Sequence, residues 1–85
     1  MDFTSHWRST SPTEKERLAT KCSTSVGFLN NIAGGFRRPS PELAASIERA
    51  TRGAVMRWDL RPDDWRAIWP EIAGREDAPK AQEGA

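Results

Sequence analysis

Helix start and stop signals divide this sequence into short segments, and that spacing constrains the fold more than any other feature. Serine followed by proline begins two of the segments, at Ser11 and at Ser40. A serine hydroxyl accepts a hydrogen bond from a backbone N–H of the first turn, and proline suits the first helical position. Gly34 and Gly53 follow apolar segments, where a helix end favours glycine. The pattern predicts an all-α fold, a compact domain of five to six short helices.

Apolar residues recur at helical spacing inside these segments, and they set the expected helix bounds. A first short helix would have Phe3 and Trp7 on one face, since they lie four residues apart, and would end near Arg8. We predict further helices over residues 12–22, 25–33 and 41–52, and a last helix that begins at Asp63 or Asp64 and ends before Pro70. The stretch 55–60 is ambiguous by period, and a helical turn is favoured there.

The chain of 85 residues is long enough for one domain with one main core. We predict a folded domain over residues 1–73 and a polar, disordered tail over 74–85. Three of the four tryptophans, Trp58, Trp65 and Trp69, lie close together in the sequence. They either complete the core or form a surface for a dimer or another partner, because buried aromatic rings anchor interfaces as well as cores.

The net charge of +1 conceals an uneven distribution along the chain. Residues 1–40 carry six basic against three acidic residues, which gives +3, and residues 41–85 carry seven against nine, which gives −2. A polyanion would therefore dock on the first half of the chain. The charge bias is mild, so by itself it does not identify a nucleic-acid-binding protein.

Cysteine and histidine each occur once, as Cys22 and His6, so no internal disulfide or cysteine-based zinc site can form. Cys22 falls on an apolar helix face, and we expect it in the core. The chain does not open with a basic segment followed by an apolar run, and no apolar stretch approaches the roughly 20 residues that span a bilayer. We therefore expect a cytoplasmic protein with no signal peptide, no membrane contact, no metal and no cofactor.

Residues 15–34 have the apolar pattern of a helix-turn-helix. Leu18 and Ala19 come first, and the small Ala19 would let the second helix cross closely. After the turn, Leu29 and Ile32 would pack back on the first helix. Ser23 stands at the turn position that glycine most often fills. Any helical hairpin needs a small residue at its crossing, so the pattern favours a helix-turn-helix without excluding another hairpin.

Three runs outside this pattern resemble the Cro-like YdaS family of regulators and antitoxins. They are AGGFRRPSPELA from Ala33, IERATRGAV from Ile47 and RWDLRPDDW from Arg57, and with the helix-turn-helix they cover about residues 12–65. The resemblance implies a prophage-type transcriptional regulator with a lambda-repressor-like helical fold, often encoded beside a toxin or an opposing repressor. Met56 stands where the family usually has a small hydroxyl residue, which removes a helix cap.

On this interpretation the helix over residues 25–33 would enter the major groove of DNA. Asparagine can bind adenine through N6 and N7, serine can bond several base edges, and valine can contact a thymine methyl group. Glycine inside a helix costs roughly 1 kcal/mol against alanine, so Gly27 is either merely tolerated or permits close approach to the duplex. The predicted base contacts are Ser25, Val26, Gly27, Asn30 and Asn31.

Basic residues near this helix are the predicted phosphate contacts, which would hold the protein in register without reading sequence. They are Lys15, Lys21, Arg37 and Arg38. A single domain of this size makes few such contacts, so useful affinity suggests a homodimer on two half-sites about one helical turn apart. Trp58, Trp65 and Trp69 are the candidate surface for that dimer or for a toxin or repressor partner.

The sequence therefore predicts a sequence-specific, double-stranded DNA-binding transcriptional regulator, bacterial and associated with the nucleoid when bound. The alternative is an antitoxin or adaptor that acts mainly through protein contacts of the tryptophan-rich segment. We expect no enzymatic activity and no small-molecule substrate. The acidic residues Asp63, Asp64 and Glu71 have no nucleophile or glycine-rich phosphate loop beside them.

Overall fold

A computed structural model describes residues 1–79, and all of the regular structure in that range is helical. The helices are α1 (Phe3–Arg8), α2 (Pro12–Lys21), α3 (Val26–Ala33), α4 (Pro41–Ala50), α5 (Arg57–Leu60) and α6 (Trp65–Ile68). A single 3-10 turn, Pro70–Ile72, follows them. The prediction of a small all-α helix-turn-helix domain is confirmed. No helix within residues 1–79 has the length and apolar character that crossing a membrane requires.

Side-chain caps begin the first four helices, and those of α2, α3 and α4 are at the serines that the sequence predicts. The hydroxyl of Ser11 accepts the N–H of Glu14 at 3.2 Å, and that of Ser40 accepts the N–H of Leu43 at 3.1 Å. Proline occupies the first turn of α2 and of α4. Asp2 caps α1 and Ser25 caps α3 in the same way. These bonds join residues three apart, so they form wherever the local sequence provides them.

A left-handed residue ends α2, α3 and α4, and in two of the three it is not glycine. The φ angles are 55° at Ser23, 82° at Gly35 and 54° at Arg52. After α2 the N–H of Thr24 donates to the carbonyl of Ala19 at 2.9 Å, which is the closing bond of a Schellman turn. The left-handed region is unfavourable for residues with a Cβ, so tertiary packing has overridden the preference for glycine at Ser23 and Arg52.

The main core lies between α1, α2, α3 and α4 and is closed by α5. Leu29, Ile47 and Val55 are its largest fully buried side chains. Its members are Phe3, Trp7, Leu18, Ala19, Cys22, Leu29, Ile32, Ala44, Ile47, Val55 and Leu60. Cys22 is buried as expected, and burial raises the pKa of its thiol above the ordinary 9.0. The packed core holds α3 firmly while leaving one side of it exposed.

A second, smaller core contains two of the three clustered tryptophans. Trp58 and Trp65 are buried with Ile72 and Ala78, and their ring centroids lie 5.4 Å apart. Trp69 is half-buried and touches both cores. Of the two alternatives that the sequence leaves open, core or partner surface, this burial favours the core for Trp58 and Trp65. Helices α5 and α6 are single turns, and large rings are what allows such short elements to bury enough apolar surface.

The segment after the 3-10 turn folds back on this second core. Ala78 is buried there, and the guanidinium of Arg75 lies 5.8 Å from the ring centroid of Trp58. Arg66 donates a hydrogen bond to the carbonyl of Pro79. Arg75, Ala78 and Pro79 belong to the stretch 74–85, which the sequence predicts to be a disordered tail. The rest of that stretch, residues 80–85, lies outside the described residues.

Candidate nucleic-acid interface

Helices α2 and α3 form a helix-turn-helix, and α3 has one buried and one exposed side. Leu29 and Ile32 point into the core, where they are 0% and 8% exposed. The opposite side carries four exposed residues at helical spacing, and we call it the outward face. It consists of Gly27, Asn30, Asn31 and Gly34. The outward face has no charged residue, so any selectivity it has comes from amide groups and shape.

The two predicted contacts at the start of α3 differ in how freely they project. Ser25 is exposed, and its hydroxyl oxygen accepts the N–H of Phe28 at 3.0 Å as the helix cap. Its hydroxyl hydrogen still allows it to donate outward. Val26 is half-buried and packs against the main core. Ser25 therefore presents a polar group at the helix end, whereas Val26 presents only part of its side chain.

Asn30 is held by a side chain of the core. Its carboxamide oxygen accepts the indole N–H of Trp7 at 2.6 Å, and Trp7 itself is 4% exposed. An indole N–H can only donate, so this contact identifies which end of the amide faces Trp7. One lone pair of the oxygen is used, and this hydrogen bond restrains the rotation of the amide. Asn30 therefore meets a ligand in a set orientation, which sequence reasoning did not anticipate.

Asn31 carries the less constrained amide of the pair. Its backbone carbonyl accepts the N–H groups of Phe36 at 2.9 Å and Arg37 at 3.2 Å, which ties the end of α3 to the following connector. Its side chain is exposed and makes no hydrogen bond with another of residues 1–79. Both the oxygen and the amino group are thus available for the paired contact that adenine accepts.

Gly27 leaves open space on the outward face. A Cβ built there would meet only the hydroxyl oxygen of Ser25, at 3.9 Å. The fold therefore does not require glycine at this position. Alanine would favour the helix more than glycine does. Close approach of a ligand to the backbone of α3 would explain why the position has glycine.

The predicted phosphate contacts do not form one set. Lys15 is half-buried, with its ammonium 4.8 Å from the ring centroid of Trp7, the residue that holds Asn30. Arg37 is exposed and makes no ion pair within the described part of the chain. Arg38 pairs with Asp63 and, at 3.1 Å, with Asp64. Its charge is partly neutralised there, so Arg37 is the stronger candidate for a phosphate.

Lys21 lies apart from the outward face. It borders a surface pocket with Ser46, Arg49 and Arg52, which belong to α4 and the turn after it. Arg49 and Arg52 are exposed, so this is a second basic surface. Lys21 also borders a pocket with Ser23 and Thr24, so it lies between the turn of the helix-turn-helix and α4.

An ion pair between Arg61 and Asp64 holds the connector after α3. The guanidinium of Arg61 donates to both carboxylate oxygens of Asp64, at 3.0 and 2.7 Å, and to the carbonyl of Pro39 at 2.6 Å. Those hydrogen bonds hold the pKa of Asp64 below its ordinary 3.8 and raise the pKa of Arg61. Arg61 is only 13% exposed. The pair fixes the backbone that carries Arg37 and Arg38.

Comparison with known proteins identifies the family of the chain. Residues 15–68 match the family model described as bacterial toxin YdaS. The chain belongs to the YdaS family. A curated relative from Escherichia coli (strain K12) is described as a prophage transcriptional regulatory protein; it is 34% identical over 58 residues, 68% of this chain and 88% of the relative. The resemblance stated from the sequence is confirmed.

The match to the YdaS family begins within α2 and ends with α6. It therefore includes the helix-turn-helix, the connector and the Arg61–Asp64 pair. Helix α1 precedes the matched residues, so Trp7, which holds Asn30, lies outside them.

Proposed function

We propose that this YdaS-family protein is a transcriptional regulator that binds duplex DNA sequence-specifically, with α3 in the major groove. The observation that carries the proposal is the outward face of α3, where the amides of Asn30 and Asn31 lie exposed opposite a packed core. An α-helix fits the major groove, where base edges are distinguishable. The description of the relative as a transcriptional regulatory protein supports the same role.

Each residue of this face has a distinct proposed role. Asn31 pairs with adenine through its free oxygen and amino group. Asn30 donates its amino group to a base acceptor in the orientation that Trp7 sets. Ser25 donates its hydroxyl at the start of α3, and the half-buried Val26 touches a thymine methyl group at the edge of the contact. Gly27 lets the backbone of α3 approach the base edges closely.

Phosphate contacts come from the basic residues around this face. Arg37 is the principal one, because its side chain is exposed and its backbone N–H is bonded to the carbonyl of Asn31, at the end of α3. Lys15 supports it from α2. Arg38 is proposed as a weaker contact because Asp63 and Asp64 share its charge. Lys21 is proposed as a peripheral contact, since it lies beside α4.

Two copies acting together are proposed to provide the affinity that one domain lacks. A domain of this size makes few phosphate contacts, and two-fold dimers on half-sites about one helical turn apart are the usual solution. The alternative role as an antitoxin or adaptor has less support, because Trp58 and Trp65 are buried and only Trp69 of the three tryptophans is half-exposed.

The test is a selection of duplexes from a random DNA pool, followed by binding measurements at two salt concentrations. We expect an enriched sequence whose complex weakens steeply with salt, as counterion release requires. Asn31→Ala should lower affinity for that duplex and leave affinity for random DNA unchanged. Ala67→Ser, an exposed change in α6, is the matched control and should alter neither. Failure to enrich any sequence, or unchanged selectivity in Asn31→Ala, would overturn the proposal.

A further inference from the structure

Phe36 is an exposed aromatic residue directly after α3. Its side chain is 81% exposed, and the only other large apolar residue exposed to a comparable degree within residues 1–79 is Met1, at the chain end. Both cores are complete without Phe36. A single exposed apolar residue is ordinary on a protein surface, so the case for a role of Phe36 rests on its position.

The ring of Phe36 adjoins the outward face of α3. A Cβ built on Gly34 would lie 2.9 Å from Cε2 and 3.0 Å from Cδ2 of Phe36, so the ring occupies the space in front of Gly34. Gly34 follows Gly27 by seven residues and Asn31 by three, and all three share that face. The absence of a side chain at Gly34 is therefore what brings the ring onto the surface that carries the amides.

The turn after α3 fixes the backbone that bears this ring. Gly35 is left-handed, with φ 82°, and the N–H of Phe36 donates to the carbonyl of Asn31 at 2.9 Å. The next residue, Arg37, is exposed, and the sequence from Ser25 to Arg37 contains no acid. Phe36 also borders a groove whose acidic residues are Asp2, Asp59 and Asp63, and Arg38 pairs with Asp63 there.

The ring of Phe36 lies in the sequence between the amide of Asn31 and the guanidinium of Arg37. The major groove offers partners for all three: base donors and acceptors, an apolar methyl group and phosphates. Among the base edges in that groove only thymine presents an apolar group, its 5-methyl. We infer that Phe36 contacts the 5-methyl group of a thymine beyond the base that Asn31 binds. The inference rests on the proposed DNA binding and adds a specificity determinant outside the recognition helix.

Replacement of each thymine of the selected duplex by deoxyuridine tests this contact. Burial of one methyl group is worth about 0.8 kcal/mol, so one substitution should weaken the wild-type complex about fourfold. Phe36→Ala should bind the thymine and deoxyuridine duplexes at that position equally. Its ring is exposed and outside both cores, so circular dichroism should report an unchanged fold.

Two further variants separate this contact from other effects. Gly34→Ala keeps Phe36 but displaces its ring, and it should also abolish the difference between the two duplexes. Arg37→Gln should weaken both complexes by the same factor and keep the difference, as expected for a phosphate contact.

Persistence of every methyl dependence in Phe36→Ala would overturn the inference. So would a shift in the sedimentation of the DNA-free protein on that substitution, since the ring would then be a contact between copies of the chain. Failure of the proposed function would be recognised earlier, as the absence of any selected duplex.

Discussion

The indole N–H of Trp7 donates to the carboxamide oxygen of Asn30 at 2.6 Å, so a core side chain of α1 orients an amide on the outward face of α3. The two residues are 23 positions apart in the sequence. The ring of Trp7 packs beside that of Phe3 in the core, with centroids 5.5 Å apart. The same side chain therefore contributes to stability and orients Asn30 toward a ligand.

Trp7→Phe should loosen Asn30 without emptying the core. The substitution keeps an aromatic ring but removes the N–H, so we expect a loss of about 1 kcal/mol of unfolding free energy, typical of one hydrogen bond, plus a smaller packing loss. Discrimination at one base position should fall as well. Trp65→Phe, at an equally buried site of the second core, is the control and should reduce stability alone. Urea unfolding and competition binding measure the two effects; wild-type selectivity in Trp7→Phe would contradict the positioning role.

Gly27→Ala should stabilise the protein and weaken its DNA complex. The site has room for a Cβ, and alanine favours a helix over glycine by about 1 kcal/mol, so the thermal midpoint should rise. The added methyl group would stand between α3 and the bases, so affinity for the selected duplex should fall. Gly74→Ala, which also has open space but lies outside a helix, should change neither quantity. Unchanged affinity in Gly27→Ala would mean that glycine is only tolerated there.

Ser23→Gly should increase the free energy of unfolding by about 1 kcal/mol. Ser23 has φ 55° in the turn between α2 and α3, a conformation that glycine adopts without strain. Its side chain is exposed, so little packing is lost. Ser9→Gly is the control, because Ser9 ends α1 at φ −88°, where glycine relieves no strain, and the hydrogen bond from its hydroxyl to the carbonyl of His6 is lost, so its stability should fall. Chemical denaturation of both variants tests the idea, which a less stable Ser23→Gly would refute.

Asp64 should make stability depend on acid pH. Hydrogen bonds from Arg61 lower its pKa in the folded protein, so its contribution is complete above the unfolded value of about 4 and is lost as pH falls through the lower folded value. Asp64→Asn should therefore flatten the stability profile below about pH 4. The pKa of Asp2 is also lowered, mainly by its hydrogen bonds with Ser5. Asp2→Asn should therefore remove a separate part of the pH dependence of stability. Urea midpoints between pH 2 and pH 6 measure both; an unchanged slope in Asp64→Asn would exclude this linkage.

Local features of the fold could be predicted because their causes lie within a few residues. The serine caps at Ser11, Ser25 and Ser40 join groups three positions apart, and each begins a helix where expected. The helical period also assigned Leu29 and Ile32 to the core. The bounds of α3 differ from the predicted 25–33 only in that Ser25 is its cap.

Features that join distant segments could not be predicted in the same way. The sequence shows that Trp58 and Trp65 are apolar, but whether a partner or the chain itself covers them depends on where α5, α6 and the residues up to Ala78 pack. The sequence predicts that Arg38 is available to bind phosphate, whereas the fold places Asp63 and Asp64 beside it.

The sequence by itself determined the helices, their caps and the polar stripe of α3, because hydrogen bonds within a turn and the helical period act over a few residues. Only the tertiary structure decided which cations are neutralised, which rings are covered and how Asn30 is oriented. Those outcomes depend on contacts such as Trp7 to Asn30 and Arg61 to Pro39, which exist only after packing has brought residues more than 20 positions apart together.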